Sequence, residues 1–204
     1  DLWHAVGHEI MSPLQSLLAL HGGADDPSRR YIERMQQAVR VLYGSASPSE
    51  AFADTHLNMA TVDLAAFARN VAANAGFADV RYAGDDHAVP VRADEFPLED
   101  VFAHVLKNAD RHRTPGSEIV IGLELAEGTA TVSIANHGPH IPGELLNRIF
   151  EYGVSGQANG DSAGNRGQGL FVAKTYMAKM GGTITAANTG DGVIFSLNLQ
   201  RARS

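Results

Sequence analysis

Apolar side chains return at Leu2, Val6, Ile10, Leu14, Leu17 and Leu18, the spacing of one helix face. His8 falls on the other side of that stripe, with Glu9 beside it. Pro13 removes one hydrogen bond of the ladder and predicts a bend just after the histidine. Gly22 and Gly23 close this helix, and Asp25-Asp26-Pro27 restarts the chain with a capping residue and a proline. Ile32, Met35, Val39 and Leu42 then mark one face of a second helix. Two such helices cannot bury a stripe alone. The pattern predicts that residues 1–46 form a helical hairpin that pairs with a second copy as a four-helix bundle. Residues 47–61 contain Pro48 and show no clear period, so they read as a linker.

From residue 62 the pattern mixes both periods. Residues 62–74 read as a helix, and 80–82 and 89–91 as short strands. Residues 95–112 read as a strong helix, with Phe96, Leu98, Val101, Phe102, Val105 and Leu106 apolar. Residues 118–125 and 129–135 alternate like paired strands around Glu127-Gly128. Residues 141–150 hold a short helix, and 152–166, rich in glycine and polar residues, read as a loop. A helix over 167–180 stops at Gly181-Gly182. Residues 183–187 and 193–199 form a last hairpin. The fold class is therefore α+β: an N-terminal helical hairpin, then an α/β sandwich over 62–204.

Composition narrows the reading. The chain has 204 residues, 44% hydrophobic and 19% charged, as an ordered protein with real cores does. A net charge of −7 argues against a general nucleic-acid binder. There is no cysteine, so thiol catalysis, disulfides and cysteine zinc sites are excluded. No apolar run approaches the roughly 20 residues of a membrane span.

Five short segments carry the chemistry. His8 is followed at once by a carboxylate, Glu9, with Pro13 five positions on. An imidazole is a nucleophile only when deprotonated, and an adjacent carboxylate can hold the required tautomer. Residues 104–112 place Lys107, Asn108, Arg111 and His112 on one helix. Asn136-His137-Gly138-Pro139-His140-Ile141-Pro142 follows a strand. Residues 148–155 carry Phe150, and 164–171 carry Gly167, Gly169 and Leu170 before a helix. Glycines there let backbone amides approach phosphate at a helix N-terminus. Glu99 and Asp100 read as a solvated face near a helix start rather than an acid–base pair.

In this order the segments resemble the boxes of sensor histidine kinases, over nearly the whole chain. The resemblance implies a dimeric phosphoacceptor hairpin joined to a Bergerat-type ATPase domain, of the type in Hsp90 and gyrase. It implies that ATP phosphorylates His8, and that the phosphoryl group passes to an aspartate of a response regulator receiver domain. It assigns Glu9 to the proton on His8, and Ser12 to positioning water for removing phosphate from the partner. Asn108 takes Mg2+, and Arg111 and His112 reach phosphates. Asn136, Gly138 and His140 line the adenine side, Phe150 anchors a lid, and Gly167, Gly169 and Leu170 approach the triphosphate. The chain opens inside a helical pattern without a methionine, so it reads as the cytoplasmic portion of a longer, membrane-anchored bacterial sensor.

The copy departs from the family pattern. Asn136 stands where the family has aspartate, His140 and Asn165 replace glycines, and Gln168 replaces leucine. An asparagine carbonyl can accept from the adenine amino group, but without charge assistance, at a cost of about 1 kcal/mol. Its amide could also donate to a guanine carbonyl and relax base choice. A second expectation follows: a degenerate kinase serving as a dimeric signalling scaffold with weak or no ATP binding.

Overall fold

The structure, a computed structural model, describes residues 56–151, 154 and 169–202, with nine scattered positions from Pro13 to Met35. The chain divides into two compact units, Asp1–His56 and Leu57–Ser204. In the first unit the described positions from Pro13 to Met35 are helical. Leu14 and Ile32 are buried there, while Leu17, Leu20, Tyr31 and Met35 are exposed. His8, Glu9, Ser12 and the expected turn at 22–27 lie outside the described residues, so the bundle remains an expectation.

The second unit runs β1 Ala60–Asp63, α1 Leu64–Ala73, β2 Val80–Tyr82, β3 Pro90–Ala93, α2 Glu95–His112, β4 Ile119–Ala126 and β5 Thr129–His137. It continues with α3 Gly143–Leu146, α4 Gly169–Lys179, β6 Thr183–Asn188 and β7 Gly192–Gln200. Five strands form one sheet in the order β2-β4-β5-β7-β6. Only the β2–β4 pair in it is parallel. Strands β1 and β3 make a separate antiparallel ladder. Along β5, Ala130, Val132, Ile134 and Asn136 face inward and alternate with half-exposed Thr131, Ser133 and Ala135. One sheet face is thus the floor of the core, and the other is polar enough to meet water. Ile121, Ile134, Phe195 and Leu197 from the floor belong to one buried cluster with Leu98, Val101, Phe102, Val105 and Ala109 of α2.

Two aspartates start helices and tie them to distant chain. Asp63 accepts from Ala65 N and Ala66 N of α1, and from Val89 N at 3.0 Å. Asp94 accepts from Phe96 N in α2 and from Asn58 N at 2.7 Å. These bonds satisfy backbone donors that a helix end leaves open. They also move a boundary. The helix expected from residue 62 starts at Leu64, because Val62 pairs with Val91 and Ala60 with Ala93 as strand. Residues 60 and 61, read as linker, belong to that strand. The helix expected within 141–150 is the short α3, followed by turn bonds from Arg148 N and Ile149 N to Leu145 O. At the end of α4, Gly182 N bonds to Met177 O, and Gly181 takes φ 73°, a conformation glycine enters without strain. Among the described residues no helix is long and apolar enough to cross a membrane.

Candidate functional site

Helix α2 turns one face to the core and the other to a cavity. The core face carries Leu98, Val101, Phe102, Val105, Leu106 and Ala109. The opposite stripe, His104, Lys107, Asn108, Arg111 and His112, recurs three and four residues apart, as one helix side requires. All five side chains line a cavity of about 330 Å³. Across from them stand Asn136 at the end of β5 and the segment Pro139, His140, Ile141 and Pro142. Leu145, Ile149, Leu170, Val193 and Phe195 supply apolar wall, and Gly169 brings the start of α4 to the edge. Among the described lining residues none carries a carboxylate, whereas Lys107 and Arg111 are cationic. One part of the cavity thus suits a flat apolar group, and another suits anionic oxygens.

The strand wall depends on close approaches. Asn136 is buried, and its amide nitrogen donates to the His137 carbonyl at 3.3 Å. That bond engages one of the two N–H donors of the amide, and Oδ1 is its acceptor for a ligand. A side chain on Gly138 would run into the His112 carbonyl and come within 3.3 Å of Arg113 Cα. Thr114 N also bonds to His137 O at 2.8 Å, so the end of α2 is laced to the end of β5. Asn188, at the end of β6, grips the rim from the other side. Its Oδ1 accepts from Ile141 N and its Nδ2 donates to Ile141 O, both at 2.8 Å. A single amide so replaces a strand partner for Ile141.

Two imidazoles in the cavity are biased toward the neutral form. Burial pushes the His104 pKa down, with a smaller contribution from Lys107 and an opposing one from Asp100. Burial, then the Arg111 charge, lowers that of His112.

Asn108, Arg111, His112, Asn136, His140, Gly169 and Leu170, all singled out in the sequence, meet at this one cavity. Gly138 makes the close crossing behind it. Phe150 does not line the cavity. It is buried behind the wall, edge-to-face with Phe195 at 6.2 Å between centroids, with Lys174 Nζ 5.8 Å from its ring centre. Gly167, Asn165 and Gln168 lie outside the described residues, as do His8, Glu9 and Ser12. Sequence reasoning gave no role to His104, Asn188, Val193 or Phe195. The spacing of His104, one turn before Asn108 on the same stripe, could have marked it. Nothing local marks Asn188.

Residues 93–203 match the family described as histidine kinase-, DNA gyrase B-, and HSP90-like ATPase. The chain belongs to that family, and its relatives within it are sensor histidine kinases. It is 36% identical over 197 residues to the sensor protein IrlS of Burkholderia pseudomallei, covering 87% of this chain and 42% of IrlS. It is 26% identical to the sensor protein VanS of Enterococcus faecium, covering 98% of this chain and 56% of VanS. The chain thus spans about half the length of these curated relatives. The fold is similar to the catalytic domain of histidine kinase ThkA, with a TM-score of 0.63 at 24% identity, covering 71% of this chain and 97% of that one. It is also similar to full-length ShkA, solved with AMPPNP, with a TM-score of 0.65 at 20% identity, covering 100% of this chain and 46% of that one.

Proposed function

We propose that this chain is the catalytic core of a sensor histidine kinase that binds ATP in the cavity between α2 and β5. In this reading it phosphorylates His8 and passes the phosphoryl group to an aspartate of a response regulator. One observation carries the reading: a cationic and amide-bearing helix face and a buried acceptor, Asn136, converge on the same apolar-walled cavity.

The residues divide the nucleotide between them. Asn136 Oδ1 accepts from the adenine amino group, and the wall of Ile141, Val193 and Phe195 covers the ring. Lys107, Arg111 and His112 face the phosphates, as does the N-terminal end of α4. The donor set fits Mg2+, which takes oxygen ligands, keeps several waters and is commonly shared with substrate phosphates. Asn108 supplies a half-buried amide oxygen for it. Bound there, the ion would neutralise charge on the triphosphate. The neutral imidazole of His8 attacks the γ-phosphorus. A nitrogen–phosphorus bond forms and the bond to the bridging oxygen breaks, releasing ADP. Glu9 accepts the proton from the other ring nitrogen. Ser12 would position water for the reverse duty, removing phosphate from the partner.

Two such chains would pair through the hairpin of residues 1–46, which the exposed Leu17, Leu20, Tyr31 and Met35 support. The cytoplasmic side of a membrane-anchored sensor is the location this implies. The cavity and its acceptor favour nucleotide binding over a scaffold without it.

Incubation with γ-labelled ATP and mapping of the label tests this. The parent should carry acid-labile phosphate on His8. His8→Ala should lose the label and keep nucleotide binding, and Asn108→Ala should lose both labelling and metal-dependent affinity. Label persisting on His8→Ala would remove the assignment.

A further inference from the structure

Given the nucleotide site proposed above, on which this rests, we propose that Arg113 is a positioning residue for the phosphate end of the cavity. It holds the Asp110 carboxylate away from Lys107 and Arg111, so that these cations answer to the triphosphate. Asp110 lies in the last turn of α2 and Arg113 caps the helix, and neither lines the cavity.

A carboxylate in this place is a hazard to a phosphate site. Asp110 stands three residues after Lys107 and next to Arg111, both of which line the cavity. Residues three apart on a helix are close enough to pair, so an acid here would compete with phosphate for the Lys107 ammonium. It would also repel the anion directly. Asp110 is instead engaged from the far end of the helix. Its Oδ1 accepts from Arg113 Nη2 at 2.7 Å, its one side-chain hydrogen bond among the described residues.

The guanidinium is itself fixed. Its Nη1 donates to the Ser117 carbonyl at 2.6 Å, and the Arg113 amide donates to Ala109 O at 2.9 Å. A planar fork reaches two such acceptors in set directions, which a lysine ammonium does not. The Arg113 side chain is 11% exposed and that of Asp110 34%. The strand wall holds the same corner. Thr114 N bonds to His137 O, and the missing side chain of Gly138 leaves room for Arg113 Cα. Loss of the guanidinium would therefore release a carboxylate beside the phosphate-facing cations.

Calorimetry of the full chain with Mg2+ and AMP-PNP tests this on the parent, Arg113→Gln, Asp110→Asn and the double variant. Arg113→Gln should bind about fivefold more weakly, the upper range for a partly exposed charge pair. Asp110→Asn should bind as tightly as the parent or more tightly. The double variant should return to within about twofold of the parent, because the charge that Arg113 restrains is gone. The deficit of Arg113→Gln should also fade toward about 1 M salt, where screening acts within about 3 Å. A purely structural Arg113 moves neither readout: the double variant would stay as weak as Arg113→Gln, at any salt. That result overturns the proposal, as does parent-like binding by Arg113→Gln, and both leave the nucleotide site standing. If Arg113→Gln does not fold, Asp110→Asn decides alone, and weaker binding by it overturns the proposal. No binding of AMP-PNP to the parent would overturn the nucleotide site as well.

Discussion

The two walls of the cavity are built by different means. The helix wall, His104 to His112, is one stripe of a regular helix whose other face is core. Its side chains stay together because the backbone period keeps them together. The strand wall, Asn136 to Pro142, has no such period. Its shape comes from the contact of Gly138 with the His112 carbonyl, the bond from Asn136 to the next carbonyl, and the clamp of Asn188 on Ile141. The helix wall should therefore tolerate exchange of one stripe side chain without displacing the others. The strand wall should fail when residues far from any ligand are altered.

Gly138→Ala gives the largest effect expected from a single methyl. The added carbon meets backbone, which cannot swing away as a side chain would. Overpacking of this kind costs up to about 3 kcal/mol, or roughly 10 °C in melting temperature for a unit of this size. Thermal unfolding measures it. An unchanged melting temperature would mean that the two walls are not locked at this crossing.

Asn188→Ala removes two hydrogen bonds from Ile141, worth about 1 kcal/mol each. We expect a loss of about 2 kcal/mol in stability and weaker nucleotide binding, with far-ultraviolet circular dichroism unchanged. Calorimetry that shows full affinity would make the rim independent of its clamp.

Asn136→Asp separates the base contact from the fold. A carboxylate should accept from adenine more strongly and tighten ATP binding about tenfold, near 1.4 kcal/mol. It also replaces a donor to the His137 carbonyl with an acceptor, so the ligand-free protein should melt lower. In the parent the amide is turned to that carbonyl. With one N–H held there, the nitrogen end of the amide is anchored at the carbonyl, so discrimination against GTP should persist, in contrast to the relaxed choice a freely turning amide would allow. Titrations of both proteins with ATP and GTP distinguish these outcomes.

The smallest effect lies away from both walls. The Val89 amide, then Ala66 and Ala65, hold the Asp63 carboxyl below its ordinary value, against a partial penalty from burial. A carboxyl whose folded pKa is depressed contributes stability above its unfolded value of 3.8, and that contribution disappears as pH falls through the lower folded value. Asp63→Asn keeps a capping oxygen without the charge. It should cost about 1 kcal/mol at pH 7, and the difference should shrink as pH falls below about 4. Nucleotide affinity at pH 7 should not change, because α1 contributes nothing to the cavity. Urea unfolding at both pH values measures the first effect, and calorimetry the second.

Legibility in the sequence follows the same division. Helix α2 was readable to its ends, since an acidic start, a long apolar period and Arg111-His112 at its close all agree. Strands β4 and β5 were readable from alternation and the Glu127-Gly128 turn. Strand β1 was not. Four residues give too little period, and its partner β3 lies some thirty residues on. Phe150 was recognised by its neighbours in the chain, but its place behind Phe195 depends on how β7 passes beneath it.

The sequence by itself determined the periods, the breaks and the chemical inventory of the helix wall, because these depend on residues within a few turns of one another. Only the tertiary structure decided which edge of His104 packs on the start of α4, which end of the Asn136 amide is committed, and what holds the rim. Those depend on chain ends meeting from β5, β6 and α4, and no local pattern encodes contacts between segments so far apart.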